Sequence, residues 1–496
     1  MLRNNLLQAI KHTSIYSLSW IANAVAGVCL LPVYSRYLSR EEYGALDLVG
    51  QNNTILKLVF AACFTYSLGR LYHDAKTDDA KKKVIGSGAT AAIAAGIMAG
   101  GLLLLLNSQV SRILLGSVDY SALIVAGAFV LILDIAFTGF TYEFLVKKKS
   151  SQFVAVNLAK LVTAIAGNLI CLIVLELGAI SMLIGNISGL LLANVCMAIP
   201  HIKKTGLFID VPTVKRMISF GSPMIIAGIL ATLLHSSDRL MLRPLQNLEQ
   251  VGLFMMGLQF PNMLNAILVT SFGSIWQGSL MFTMSKQEDA DVQIGRFATY
   301  LLALFISAQT ILGIFSASLL EILAAPKFAA SIPVAPIACL GFSFHAFYLF
   351  LVSKAFTHNN PKRMIICYAA PLVLKIALTL YLVPKYGFMA SAWILMLGYL
   401  FFTLTCFVAF KKMNTTHFEW PRIFALFTIA AAFLSASYLT NTTDLVRQIS
   451  FQILLTVAYL LTLAVTPLFS TAEKASLRDE IVSRYRSFKS QTPSTG

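Results

Sequence analysis

The chain has 496 residues, of which 57% are hydrophobic and 12% charged, with a mean hydropathy of +0.75. Soluble domains run about 45–50% apolar and about 25% charged, so most of this surface does not meet water, and the composition reads as an all-α polytopic membrane protein. The 38 Lys and Arg against 22 Asp and Glu give a net charge of +16. They sit in short loops between apolar runs with no aromatic-interleaved basic face, which sets nucleic acid aside as a partner.

A bilayer-crossing helix needs about 20 mostly apolar residues. The N-terminus mimics a secretory signal, since Arg3 and Lys11 precede an apolar stretch and Ala22-Asn23-Ala24 resembles a cleavage site. The stretch runs on through Val25–Val33, too long for such a core, and is read as an uncleaved first span. Fourteen runs follow this pattern, at 14–36, 44–69, 84–106, 119–144, 153–175, 180–200, 218–243, 252–283, 297–323, 333–355, 364–383, 388–410, 422–440 and 449–469. Seven cysteines lie inside these runs, odd in number and without metal spacing, and read as small core hydrophobes.

Charge sets the expected orientation. With the N-terminus inside, one set of alternate connections carries 26 Lys and Arg, the other side 8, and four lie within spans: Lys57, Lys160, Lys354 and Lys375. That bias places both termini on the cytoplasmic side of an even number of spans. The tail, 470–496, has mixed charge and reads as a frayed cytoplasmic end.

An internal repeat is present. Residues 42–51, EYGALDLVGQ, match residues 250–259, QVGLFMMGLQ, at an offset of 208. Gly178-Ala179-Ile180-Ser181 matches Gly387-Phe388-Met389-Ala390 at 209, and the basic turns Lys147–Ser151 and His358–Arg363 lie near the same offset. The expected organisation is a six-helix lobe over 1–210, a second over 211–412, two further spans over 413–469, and the tail. Six spans per half preserve orientation, so the halves are parallel and related by an axis along the membrane normal.

No G-x-x-x-x-G-K-[ST], H-E-x-x-H or G-x-S-x-G occurs, and no catalytic constellation is locatable, so neither an enzyme nor a bound cofactor or metal is expected. In-span charge is what stands out, because each such group costs at least about 2.5–3.5 kcal/mol at mid-depth. Lys57, Lys375 and Asp134 lie about 16–21 Å from the starts of their spans, near the midplane. Lys160 is shallower, and Arg36, Asp238, Arg239 and Arg243 sit at the outer ends of the first and seventh spans. His235, Arg239 and Arg243 share a helical face, while Asp238 points about 100° away and is free to pair elsewhere. Glu143 reads as a solvated end residue. Two readings remain open: interhelical charge pairs with snorkelling ends, or a cationic cavity for an anionic substrate. Asn23, Asn53, Asn157, Asn168 and Asn265 fit a wet lumen or packed hydrogen bonds equally, and Pro223, Pro261 and Pro371 imply kinks.

The first span ends Leu31-Pro32-Val33-Tyr34-Ser35-Arg36-Tyr37-Leu38-Ser39-Arg40-Glu41-Glu42-Tyr43-Gly44. The seventh carries Ser237-Asp238-Arg239-Leu240-Met241-Leu242, then Val251-Gly252-Leu253-Phe254, and Lys375–Ala392 contains Val383-Pro384-Lys385-Tyr386-Gly387 and Ala390-Ser391-Ala392. In order and spacing these resemble the motifs of polysaccharide-biosynthesis membrane proteins, the Wzx-type oligosaccharide flippases of the multidrug/oligosaccharidyl-lipid/polysaccharide exporter superfamily. Met255 and Ser391 depart from the common pattern.

The resemblance implies two six-helix lobes around a central cavity, alternating access, and a bacterial inner-membrane location. It implies a polyprenyl-pyrophosphate-linked oligosaccharide as substrate, moved from inner to outer leaflet for O-antigen, capsule or exopolysaccharide assembly. Membrane lipids, a polysaccharide polymerase and chain-length machinery are then the expected partners. Lys57, Lys375, Lys160, Arg36, Arg239 and Arg243 become candidate contacts for the pyrophosphate. Asp134 and Asp238 become candidates for coupling to a proton or sodium gradient. A drug or organic-cation antiporter on the same scaffold should instead place acids at the cavity centre, and a peptidoglycan-precursor flippase would share the same physics. A non-transport scaffold is the fourth reading.

Overall fold

A computed structural model describes residues 21–147, 149–276, 280–285, 289–352, 361–411, 416–439 and 444–466. Arg3, Lys11, the start of the first span, Lys354, the turn at 358–360 and the tail over 470–496 lie outside these described residues. A helix satisfies its own backbone polar groups, which lipid cannot do, and among the described residues twelve helices are long and apolar enough to cross a membrane. A helix over 21–37 precedes them, and the span Arg363–Phe410 is two crossings joined at Gly387, whose φ of 60° and ψ of −147° break the helix.

Among the described residues, each of the fourteen expected runs overlaps one of fourteen helical segments. They are α1 (21–37), α2 (Arg40–Asp74), α3 (Asp78–Leu105), α4 (Ser121–Val146), α5 (Ser150–Leu169), α6 (Ile180–Lys204) and α7 (Val211–Leu245). After these come α8 (Leu248–Asn265), α9 (Ala290–Leu323), α10 (Val334–Leu351), α11 (361–386), α12 (388–410), α13 (Trp420–Leu439) and α14 (Leu445–Val465). The protein is thus an all-α multi-pass membrane protein with two six-helix lobes and two additional helices. Helix α13 packs on α9 and α10, and α14 on α9 and α13.

Two local features differ from the sequence reading. The connection after α3 holds a nine-residue helix, Asn107–Leu115, capped by Gly116 in the left-handed region at φ 92°. Five cysteines are buried as expected, but Cys29 and Cys196 are exposed, because helices walled by lipid carry apolar residues on every face.

The repeat appears as matched contacts. Ser39 caps α2 by accepting from the Glu42 amide, and Asn247 caps α8 by accepting from the Gln250 amide. Glu42 Oε1 then accepts from the Ala179 amide at 3.1 Å, and Gln250 Oε1 from the Phe388 amide at 3.1 Å. The glycines before those amides, Gly178 and Gly387, both have φ of 60°. Between the halves, Gly44 lies against the Leu248 carbonyl and Gly252 against the Arg40 carbonyl, with no room for a Cβ at either. Both glycines and both carbonyls are 208 residues apart, so α2 and α8 cross reciprocally at their N-terminal ends.

Candidate functional site

Helix α2 brings a polar stripe between α4 and α6. Lys57 Nζ lies 2.7 Å from Asp134 Oδ2, and about a third of each side chain is exposed. The pair lines a cavity of about 380 Å³ together with Gly50, Asn53, Thr54 and Asn186. Gly127 lets α4 lie close to α2, with no space for a Cβ beside Val49, and Asn53 Nδ2 donates to the Gly127 carbonyl at 2.8 Å. These contacts fix where Lys57 can reach. Lys160 on α5 points its ammonium at the Phe137 ring, 4.6 Å from the centroid, within the electrostatic reach of Asp134 and Lys57.

A second cavity of about 340 Å³ shares Leu46, Gly50 and Met182 with the first. It adds Tyr34, Tyr43, Asp47 and Gln51 from one lobe and Met255 and Gln259 from the other. It therefore lies between the lobes. Asp47 holds Arg239 of α7 at 3.3 Å, and Arg239, 3% exposed, has no hydrogen-bond partner for Nε and Nη2 among the described residues.

The second lobe answers the Lys57–Asp134 pair with neutral groups. Asn265, 208 residues after Lys57, meets His345 of α10 at 3.2 Å. Its charged residues lie elsewhere. Lys375 Nζ is 2.7 Å from Asp238 Oδ2 and 2.6 Å from the Leu234 carbonyl, both charged side chains being 1% exposed. Gly398 leaves space for the aliphatic stem of Lys375, and His235 bonds the Tyr399 hydroxyl beside it. Lys375 and Asp238 thus form a packed polar knot among α7, α11 and α12, away from the two cavities above.

The remaining arginines tie the lobes at the end where α2 and α8 begin. Arg40 pairs with Glu249 and donates from Nε to the Lys327 carbonyl at 2.5 Å. Lys327 Nζ donates to the Arg36 carbonyl at 3.1 Å, leaving the Arg36 side chain exposed. Burial lowers the pKa of Lys327, which lies in the turn between α9 and α10. Arg243 donates to the carbonyls of Ile113 and Arg112 at 3.1 and 3.4 Å, a cation at the C-terminus of the short helix.

One sequence expectation needs correction. Glu143 is not solvated: its side chain is 7% exposed, with Lys147 on one oxygen and His201 on the other, each at 2.6 Å. A carboxylate at a helix end escapes water when neighbouring elements supply both partners, and His201 comes from α6, remote in sequence.

Asp47, Gln51, Asn186 and Gln259 were not singled out from sequence. The signal was available for the first two. Asp47, Gly50, Gln51, Thr54 and Lys57 recur at helical spacing along α2 and form one polar face in an otherwise apolar span.

The fold can be set beside known proteins. No curated protein matches the chain in sequence. Among solved structures it is similar to the lipid II flippase MurJ in an inward closed conformation, with a TM-score of 0.73 at 13% identity over 92% of this chain and 98% of that one. It is also similar to an inward-facing multidrug resistance MATE family transporter of the MOP superfamily, with a TM-score of 0.58 at 12% identity over 88% and 100%. The Vibrio cholerae MATE transporter VcmN in its bent form gives 0.54 at 10% identity over 82% and 96%. At these identities the likeness is one of fold. Sequence adds the family: residues 9–276, more than half of the chain, match the model described as polysaccharide biosynthesis protein, and the chain belongs to that family.

Proposed function

We propose that the protein is a flippase that moves a polyprenyl-pyrophosphate-linked oligosaccharide from the inner to the outer leaflet by alternating access, in a bacterial inner membrane with both termini cytoplasmic. The carrying observation is Lys57: an ammonium one-third exposed, within a candidate span, on a polar cavity that adjoins another between the lobes. Family membership and the MurJ-like fold support this reading.

An unpaired anion cannot cross a low-dielectric layer without large cost. Lys57 supplies a counter-charge, and in the empty carrier Asp134 occupies it. A phosphate oxygen arriving in the cavity takes the place of the Asp134 carboxylate on Lys57, while Lys160 supplies the second positive charge. Asn53, Thr54, Asn186 and Gln51 offer hydrogen bonds to the first sugar. The polyprenyl chain, being apolar, stays in the bilayer. Asp134 is also the residue through which an ion gradient would act.

The test is reconstitution with a fluorescent polyprenyl-pyrophosphate oligosaccharide and an external quencher, with and without an ion gradient. Lys57→Ala should reduce translocation about 10–100-fold, the value of a hydrogen bond to a charged group, and Lys57→Arg should retain part of it. Unchanged translocation in Lys57→Ala would sink the reading. A second reading, organic-cation antiport, has Asp47 and Asp134 on the cavity walls in its favour. Gradient-driven uptake of an organic cation, without lipid translocation, would select it. A peptidoglycan precursor shares the pyrophosphate chemistry, and competition between headgroups separates the two.

A further inference from the structure

A separate pocket lies at the opposite end of the first lobe, where α4 runs into α5 and α6 ends. It has a volume of about 170 Å³ and is lined by Glu143, Phe144, Lys149, Gln152, Pro200 and Lys204. The turn that forms it is held by backbone bonds. Lys149 N donates to the Phe144 carbonyl at 2.9 Å, and Phe153 N to the Lys149 carbonyl at 3.1 Å. Beneath it, Glu143 and His201 are buried and joined, and the Phe140 ring meets the His201 ring edge-on at 5.3 Å.

Charge in this pocket does not balance. Glu143 is already paired, with Lys147 on one oxygen and His201 on the other, so its charge is matched within the turn. Lys149 and Lys204 also line the pocket, and neither has a carboxylate partner among the described residues. Two unneutralised ammoniums facing one concavity attract an anion. Gln152 supplies an amide donor, and Phe144 and Pro200 an apolar floor. The fourth membrane span ends at Phe144, so the pocket stands at the depth of lipid headgroups. Basic pockets between spanning helices at that depth suit phosphate-bearing headgroups.

We infer that this pocket seats a phosphate anion, supplied by the headgroup of an anionic phospholipid, with Lys149, Lys204 and Gln152 contacting the phosphate. Glu143 and His201 are positioning residues that hold Lys147 and the turn in place. The site is independent of the cavity around Lys57.

The experiment is native mass spectrometry of the full chain released from nanodiscs of phosphatidylcholine with phosphatidylglycerol, together with thermal melts in detergent. Retention of phosphatidylglycerol should fall about fivefold for each lysine removed in Lys149→Gln and Lys204→Gln. Retention of phosphatidylcholine should not change, and Lys203→Gln, on an exposed neighbour outside the pocket, should behave as wild type. Inorganic phosphate supplies the second arm: stabilisation by phosphate that disappears in the double variant, without selective lipid retention, would keep the seat and assign it a free anion. Equal phosphatidylglycerol retention in wild type and double variant, with no melting shift from phosphate in either, would overturn the site. Transport by the Lys57 cavity is a different readout, so the two proposals fail separately.

Discussion

At the scale of single residues, two lysines within candidate spans have opposite surroundings. Lys57 and Asp134 are each about one-third exposed, and such pairs contribute about 0–1 kcal/mol to stability. Lys375 and Asp238 are sealed at 1% exposure, where losing one partner costs about 3–5 kcal/mol. Lys375→Ala should therefore lower the melting temperature sharply, whereas Lys375→Met combined with Asp238→Leu should recover most of it. A double variant that folds fully but transports nothing would show that the knot serves transport and not stability alone. The sequence placed both lysines near the midplane and left open whether they pair or bind. Depth follows from counting along a helix. Which neighbour a side chain faces depends on how α2 and α11 are rotated against distant helices, and hydropathy does not encode that.

Among the elements, the crossing of α2 and α8 depends on two missing side chains. Gly44→Ala and Gly252→Ala each force a Cβ toward the facing carbonyl, and overpacking of this kind costs about 1–3 kcal/mol. Both variants should melt lower by similar amounts, as measured in detergent. A large effect at one glycine alone would mean that the two contacts are not equivalent. Here the sequence was unusually legible, because the residues of the repeat motif are the ones that make the crossing and its caps. The short helix Asn107–Leu115 was not legible. Its nine residues are too few to carry a periodicity that separates helix from turn.

For the whole molecule, the fourteen spans were readable from apolar runs, and the two lobes from the repeat. The ties between the lobes were not. Arg40–Glu249 joins residues 209 positions apart, and Arg239–Asp47 residues 192 apart. Each of these charges has an equally plausible fate in water or at a headgroup when only the sequence is known. Arg40→Ala should loosen that end, and a cysteine placed at Asn186 should then react faster with a membrane-impermeant reagent added from that side. An unchanged labelling rate would mean that the remaining contacts of Lys327, Arg239 and Arg243 keep the end shut.

The joints at Gly178 and Gly387 bear on which side chains the architecture constrains. The two joints are built alike, yet one uses the carboxylate of Glu42 and the other the side-chain amide oxygen of Gln250. What both share is an oxygen acceptor and a backbone bend, so the joint demands those two features and leaves the surrounding side chains free to differ. The halves do differ in this respect: one holds Lys57 against Asp134, and the other has Asn265, 208 residues after Lys57, against His345. Paired architecture and unpaired charge chemistry thus coexist in one molecule, with the ion pair of this position in one half alone.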